Sequence, residues 1–259
     1  MRLYTVDAFT GEAFRGNPAG VVLLDAPASP RWMQDVAAEL GHADTAFVVT
    51  TAEPKPLRWF TPVAEVNLCG HATLAATHVL GGTQVFDTRS GELRCTADGD
   101  RVWMDLPADV PVPLAGDEPG LDVLPPALPG VTIEELARTS DDVLVRAADA
   151  AQVRAVEPDL TVIAGLPAPC GAVVTAESDR DGTDFVSRVF APAVGIPEDP
   201  VTGSAHCALA PYWAARLGRI ELTGEQASRR GGIVGMQLRG GRVTLSGQAV
   251  TVTRGELLV

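Results

Sequence analysis

Lysine is almost missing from this sequence. Only Lys55 represents it among the 20 basic residues, and this lysine lies between two prolines. Schiff-base chemistry, including that of pyridoxal phosphate, needs a lysine in a protected pocket, and a proline-bracketed turn is a poor place for one. The composition therefore disfavours enzymes that depend on this cofactor.

Long apolar runs and a basic surface are also missing. No run of about eighteen uncharged apolar residues occurs, which is the length that a membrane helix needs, and the first residues do not resemble a signal peptide. The net charge of −13 is opposite to the charge that phosphate backbones and anionic lipids attract. We expect a cytoplasmic protein with neither nucleic-acid nor membrane partners.

Cysteine is sparse and widely spaced. The four cysteines form no CxxC pair: Cys69, Cys95, Cys170 and Cys207. This spacing predicts neither a disulfide framework nor a zinc ribbon, and we expect Cys95 and Cys170 to be small buried residues. The metal motif HExxH and the dinucleotide fingerprint GxGxxG are absent as well. We expect a protein without a metal or another cofactor.

Several pieces of the sequence occur twice, about half a chain apart. The segment with Arg58 in RWFTP returns 130 residues later with Arg188 in SRVFAP, and each is followed by an acid and a glycine that opens an alanine-rich helix. A third echo relates GNPAGVVLL to GLPAPCGAVVTA. Between the copies, residues 106–130 are rich in proline and glycine, which mark a linker. We predict two similar domains, 1–112 and 113–259, with the last strand able to return to the first domain.

The strand-like runs are short and separated by turns rather than by regular helices. They lie at residues 3–9, 19–24, 45–50, 101–106, 144–148, 172–175 and 242–245. This pattern disfavours a doubly wound parallel sheet and favours an α+β fold with mostly antiparallel, strongly curved sheets.

Three helices are predicted. The first is amphipathic, is capped by Ser29 and ends at Gly41. The other two begin near His71 and Ser204 and carry no charge for about three turns, which is typical of helices that are enclosed on all sides. We expect each of them to run through the middle of a curved sheet.

The starts of these two enclosed helices form a candidate anion site. Gly70 and Gly203 precede His71 and Ser204, so the backbone can approach a ligand closely and helix N–H groups can bind it. A small carboxylate is the natural ligand for such N–H groups, and we place it in the groove between the domains. The alternative is that Asp199 and Ser204 only cap their own helix.

Asp44 is a candidate general base. It begins DTAFVV, and strand alternation places it on one face with Ala46 and Val48. If that face is buried, desolvation raises the pKa of the carboxyl, which prepares a general base. The alternative is a simple turn aspartate. His71 lies beside the positive end of a helix dipole, which favours its neutral ring.

The segments ADTAFV, RWFTPVAEVNLCGHATLA and EDPVTGSAHCALAPYWA together resemble the PhzF-type phenazine-biosynthesis family, and the similarity runs nearly from end to end. The resemblance implies the diaminopimelate-epimerase-like fold, in which two similar domains each wrap a curved sheet around a central helix. It also implies a homodimer and a cofactor-free isomerase that acts on a small carboxylate.

The resemblance assigns roles to individual residues. Asp44 takes the place of the proton-shuttling acid, although the family's pattern has a glutamate there, which is one methylene longer. The full set implied is catalytic Asp44, His71 and Asp199 with substrate-binding Gly70, Gly203 and Ser204.

The predicted function is an isomerase that moves a proton between carbons of an unsaturated small carboxylate by acid/base catalysis in the interdomain cleft. A racemase or epimerase is the first alternative, but it needs a base facing Cys69, and the matching position in the second half is Pro200, which is not a thiol. A binding protein without catalysis is the second. A hydrolase built on Ser204, His206 and Asp199 is disfavoured because GxSxG is missing.

Overall fold

The computed structural model describes residues 1–115, 118–169 and 171–259, so the expectation for Cys170 lies outside the described residues. The chain divides into two compact units: unit 1 is residues 1–106 with 244–259, and unit 2 is residues 107–243. That these units are two independent domains divided at residues 112 and 113 stays a prediction.

The described residues form short strands and few helices. The strands are β1 (Arg2–Ala8), β2 (Asn17–Leu24), β3 (Asp44–Val49), β4 (Lys55–Phe60), β5 (Glu65–Val66), β6 (Gly82–Thr88), β7 (Gly91–Asp98), β8 (Arg101–Pro107), β9 (Val112–Pro113), β10 (Ile133–Arg138), β11 (Asp142–Ala147), β12 (Gly171–Glu177), β13 (Phe185–Ala191), β14 (Ile196–Asp199), β15 (Glu221–Gln226), β16 (Gly232–Arg239) and β17 (Arg242–Glu256). The α-helices are α1 (Pro30–Leu40), α2 (Gly70–Leu80), α3 (Leu124–Ala127), α4 (Ala150–Ala155), α5 (Leu160–Ile163) and α6 (Gly203–Leu217).

Unit 1 is a mixed ladder of strands. β1 is antiparallel to β2, β2 is parallel to β3, and β3 is antiparallel to β4. β4 is antiparallel to β5 and parallel to β6, after which β6, β7 and β8 form an antiparallel meander. The C-terminal part of β17 pairs with β1. Lys55 lies at the start of β4 rather than in a turn.

Unit 2 repeats the strand order of unit 1. β10 is antiparallel to β11, β11 is parallel to β12, and β12 is antiparallel to β13. β13 is antiparallel to β14 and parallel to β15, which is antiparallel to β16. β4 therefore matches β13, as the Arg58 and Arg188 repeat predicts. The third echo is wrong, because GNPAGVVLL forms β2 whereas GLPAPCGAVVTA leads into β12, whose counterpart in unit 1 is β3.

Helix α1 forms as the sequence predicts. The Ser29 hydroxyl accepts a hydrogen bond from the Trp32 N–H at 3.2 Å, and Pro30 occupies the first helical position. Gly41 ends the helix in the left-handed conformation, with a φ of 66°. Met33, Val36 and Ala37 are buried, so one face of α1 packs on the sheet.

Loss of the α1 cap has a measurable cost. We expect Ser29→Ala to lower the free energy of unfolding by about 1 kcal/mol, because a helix N–H loses its acceptor. Ser29→Asp keeps an acceptor at the same position and is the matched control. Urea unfolding measures both variants, and equal stabilities for them would contradict the capping role.

Helices α2 and α6 differ from α1 in being buried along most of their length. Every residue of α2 from His71 to Thr77 is buried, and the helix contacts β1, β2, β3, β6 and β7 of unit 1. Helix α6 has ten buried residues and contacts β15 and β16 of unit 2. None of the helices among the described residues combines the length and the apolar character needed to cross a bilayer.

Candidate active site

Helix α2 starts without a side-chain cap. Its N-cap residue is Cys69, which is extended at φ −143° and ψ 112° and whose side chain makes no capping bond. The first helical bond runs from the Thr73 N–H to the Cys69 carbonyl at 3.1 Å. The N–H groups of Gly70 and His71 precede this bond and belong to the turn that an α-helix cannot satisfy internally. They are suited to bind an anion.

Asp44, His71 and Cys69 meet at this helix start. Asp44 Oδ2 lies 3.8 Å from His71 Nε2, and Cys69 Sγ lies 3.4 Å from His71 Nδ1. All three residues are buried. Asp44 is the first residue of β3, so the alternative that it is a turn aspartate is wrong.

His71 is a neutral imidazole in this cluster. Burial lowers the pKa of His71 to about 3, and the nearby charge of His42 acts in the same direction. The sequence predicts a neutral ring from the helix dipole, whereas the main cause here is desolvation. A neutral ring carries one N–H. A proton on Nε2 faces Asp44 and leaves Nδ1 to accept from the thiol of Cys69.

The cluster also has the donor set and the spacing of a possible metal site. The ligand atoms of Asp44, Cys69 and His71 all lie within 4.8 Å of one another, which is close enough to consider a metal ion. Cys69 Sγ lies 3.4 Å from Nδ1 of the ring, whereas Asp44 Oδ2 lies 3.8 Å from Nε2. A single zinc ion would bind only one of these nitrogens, at about 2.0–2.1 Å. That the protein holds no metal stays a prediction from the sequence.

Asp199 ends β14 in unit 2 and is buried. The Thr202 hydroxyl donates a hydrogen bond to Asp199 Oδ2 at 2.5 Å. Thr202 is the N-cap residue of α6 and its side chain makes no capping bond. The alternative in which Asp199 or Ser204 occupies the cap position is therefore wrong. Gly203 is buried and Ser204 is exposed in the first turn of this helix.

His206 does not form a nucleophile and base pair with the exposed Ser204 among the described residues. Its Nδ1 is 2.8 Å from the Thr202 carbonyl, and the ring lies against Phe185 with centroids 5.9 Å apart. Burial lowers the pKa of His206 to about 4. His206 is therefore a packed, neutral side chain. The arrangement does not support the hydrolase alternative, which needs His206 to act as a base on Ser204.

A repeated ion pair aligns the two units residue by residue. Arg58 binds both carboxylate oxygens of Glu65 at 2.7 and 2.6 Å, and Arg188 binds both oxygens of Glu198 at 2.7 and 3.1 Å. Helix α2 begins five residues after Glu65, and helix α6 begins five residues after Glu198. The N-cap residues Cys69 and Thr202 are therefore counterparts. Pro200 was the wrong match, but Thr202 is no thiol either.

Asp142 is a buried acid that the sequence analysis missed. It begins β11 in register with Gly171 of β12, and only 6% of it is exposed. Burial raises the pKa of Asp142 to about 7, helped by three other acids, although a hydrogen bond from the Gly171 N–H opposes the shift. The three acids are Asp141, Asp109 and Asp199. At neutral pH this carboxyl is about half protonated.

The other missed residues are His42, Thr202 and Gln226. The sequence indicates His42 only weakly, because it lies two residues before Asp44 in the segment that leads into β3. Thr202 lies within the quoted segment EDPVTGSAH, but only the N-cap position identifies it as the match of Cys69. Gln226 bonds to residues 24 and 27 positions earlier, a distance at which no spacing rule applies.

Comparisons with known proteins find relatives along nearly the whole chain. A family model described as phenazine biosynthesis-like protein, PhzC-PhzF, matches residues 6–255. A Pseudomonas aeruginosa protein named an uncharacterized isomerase is 44% identical over 264 residues, which cover 99% of this chain and 98% of the relative.

Solved structures show the same fold. A PhzF family protein of Enterococcus faecalis is 37% identical with a TM-score of 0.92, and the match covers 100% of this chain and 99% of the other. A probable proline racemase from Agrobacterium radiobacter is 12% identical with a TM-score of 0.64 and covers 100% and 93% of the two chains, a likeness of fold alone. A mixed sheet with few helices is common to these proteins.

Proposed function

The chain belongs to the phenazine biosynthesis-like family, PhzC-PhzF, and is an isomerase; from this premise we propose that it moves a proton between two carbons of a small, unsaturated, carboxylate-bearing substrate without a cofactor. The observation that carries the proposal is the buried cluster of Asp44 and neutral His71 beside the uncapped start of α2. The finer assignments below are parts of the same proposal.

Asp44 is the proton carrier in this proposal. Its carboxylate takes a proton from an acidified C–H bond, and the electron pair of that bond enters the conjugated system of the substrate. The resulting carboxylic acid returns a proton to a different carbon of the same system, so substrate and product have the same composition. His71 Nε2 lies 3.8 Å from Asp44 Oδ2, which is beyond hydrogen-bond distance, so the neutral ring packs beside the carboxylate and limits where it can lie.

Backbone N–H groups stabilise the charge that develops on the substrate. Gly70 and His71 offer two of them beside Asp44, and each well-placed donor of this kind contributes roughly 2.7–4 kcal/mol in comparable sites. Gly203 and Ser204 offer the same kind of pair at the start of α6. Asp199 is proposed to orient the substrate or to relay a proton.

The repeated architecture supports a further part of the proposal. We infer that the two units are copies of one domain, each built around its buried helix, because the strand order and the Arg–Glu pair recur in both. That the protein acts as a homodimer stays a prediction from the sequence. That it binds neither nucleic acid nor membranes stays one as well.

The test is proton NMR in D₂O with dihydro-3-hydroxyanthranilate as the probe substrate. Because an Asp44 carboxyl exchanges its proton with solvent, we expect deuterium to enter a second carbon of the probe while one C–H signal disappears. Asp35→Asn, a surface change on α1 at a side chain that is 73% exposed, is the control that keeps activity. A parent protein that catalyses no exchange beyond the buffer rate would contradict the proposal for this substrate.

A further inference from the structure

Gln226 makes three hydrogen bonds to the turn that leads into α6. Its Nε2 donates to the Asp199 carbonyl at 2.7 Å and to the Thr202 hydroxyl at 3.1 Å, while its Oε1 accepts from the Thr202 N–H at 2.8 Å. The amide can face only one way, because the backbone N–H can only donate and the carbonyl can only accept. Gln226 is fully buried, so water does not compete for these bonds.

The direction of the Thr202 hydroxyl follows from this arrangement. A hydroxyl has a single proton to donate. Since the oxygen of Thr202 accepts from Gln226, its proton is directed to Asp199 Oδ2 at 2.5 Å. Such a short bond to a carboxylate is charge-assisted and holds the oxygen in one place. Asp199, Thr202 and Gln226 are called the Asp199 network below.

The equivalent turn of unit 1, which leads into α2, forms without such a network. In the ladder register, the counterparts of Asp199 and Gln226 are Val66 and Thr88, and the counterpart of Thr202 is Cys69. None of these three can reproduce the bonds, because valine has no polar side-chain atom, threonine has no amide and a thiol is a weak donor.

A different bond is common to the turn in both units. The Ser90 hydroxyl donates to the Asn67 carbonyl at 2.8 Å, and the Ser228 hydroxyl donates to the Pro200 carbonyl at 2.8 Å. Asn67 and Pro200 are equivalent positions. The serine bond therefore occurs in both turns, whereas the Asp199 network is an addition particular to unit 2 among the described residues.

We propose that Thr202 and Gln226 are positioning residues that hold the Asp199 carboxylate in place for the isomerisation. This role rests on the proposed function. Asp199 touches the substrate in that proposal, whereas Thr202 and Gln226 act through Asp199. A carboxylate that orients a substrate must stay within a few tenths of an ångström of its productive place, and one fixed oxygen supplies that constraint.

Thr202→Val tests the role with little change in volume. We expect kcat to fall about ten- to hundredfold with KM within about twofold, because the loss concerns the orientation of the bound substrate rather than its overall binding. Thr202→Ser retains the hydroxyl and is expected to restore kcat to near the parent value. Both are measured as deuterium incorporation into dihydro-3-hydroxyanthranilate.

Gln226→Glu tests the direction of the hydroxyl. The new carboxylate has no proton to donate to the Thr202 hydroxyl or to the Asp199 carbonyl, so it competes with Asp199 for the hydroxyl proton and leaves that carbonyl without its donor. We expect a loss of kcat as large as that of Thr202→Val, although the threonine itself is unchanged. Thermal unfolding of each variant establishes that the protein is folded before kinetics are compared.

Ser228→Ala is the matched structural control. It removes a 2.8 Å bond from the same turn but none from Asp199, so we expect kcat to stay near the parent value. Equal losses in Thr202→Val and Ser228→Ala, or no rescue by serine at position 202, would overturn the positioning role alone. A parent protein without turnover would overturn that role together with the proposed function.

Discussion

Replacement of Asp44 by asparagine is expected to slow proton transfer about a thousandfold or more while ligand binding changes little. Asparagine keeps the size of the side chain but cannot accept a proton at neutral pH, and general acid–base catalysis contributes typically 10²–10⁴-fold to a rate. The neutral His71 is a poor substitute, because burial lowers its pKa to about 3, well below that of an ordinary imidazole. The rate of deuterium incorporation into the probe substrate measures the effect.

Asp44→Glu is the informative partner of this variant. It restores the longer acid of the family's pattern but displaces the carboxylate by about one C–C bond, and a misplacement of this order can cost about a hundredfold. We therefore expect the activity order Asp44, then Asp44→Glu, then Asp44→Asn. An asparagine variant that retains more than a tenth of the parent rate would remove Asp44 from the mechanism.

The repeated Arg–Glu pair shows which features the sequence reveals. Arg58 and Arg188 were detectable because each is fixed by a glutamate a few residues away and by a phenylalanine two positions on, at 5.3 and 4.9 Å from the guanidinium. Local interactions constrain neighbouring residues together and so leave a pattern. The caps of α1 were predictable for the same reason.

The third repeat, GNPAGVVLL against GLPAPCGAVVTA, shows a sequence similarity that does not reflect equivalent strands. β2 and β12 have similar letters because both are strands with mostly apolar, buried residues, but buried strands share composition wherever they lie in a sheet. Strand partners are set by pairing over long distances. β7 was missed although its buried positions alternate, because two of them are Cys95 and Ala97, which carry little apolar signal.

The candidate site was predictable only in pieces. The sequence marks Asp44 and His71 separately, and only the fold, which brings the start of β3 to the start of α2, shows that they are close. Gln226 and Asp142 carry no motif, since their partners are brought near by the fold and not by sequence spacing. Positioning groups are in general harder to detect than the groups they hold.

Asp142 is expected to make the protein less stable as the pH rises. Its usual pKa is 3.8, and burial together with the neighbouring acids raises it to about 7 in the folded state. The folded protein therefore binds this proton more tightly than the unfolded chain does. The stability that protonation provides is complete below about pH 4 and is lost as the pH rises toward 7.

The Asp142→Asn variant should remove this pH dependence. The amide stays neutral, and its oxygen can still accept from the Gly171 N–H. A shift of about three units corresponds to at most about 4 kcal/mol, so we expect the variant to be more stable than the parent at pH 8 by on the order of 2–4 kcal/mol and nearly equal to it at pH 4. Urea unfolding at both pH values measures the difference.

Asp141→Asn provides the control, because it removes an exposed acid one residue away. It removes the largest of the three charge repulsions on Asp142 but leaves the buried carboxyl and its desolvation, which is the main cause of the raised pKa, so most of the pH dependence should persist. If Asp142→Asn gained no stability over the parent between pH 4 and pH 8, the carboxyl would be ionised in the folded protein without cost. That outcome would require a counter-charge or water at Asp142 and would contradict the buried, half-protonated state described above.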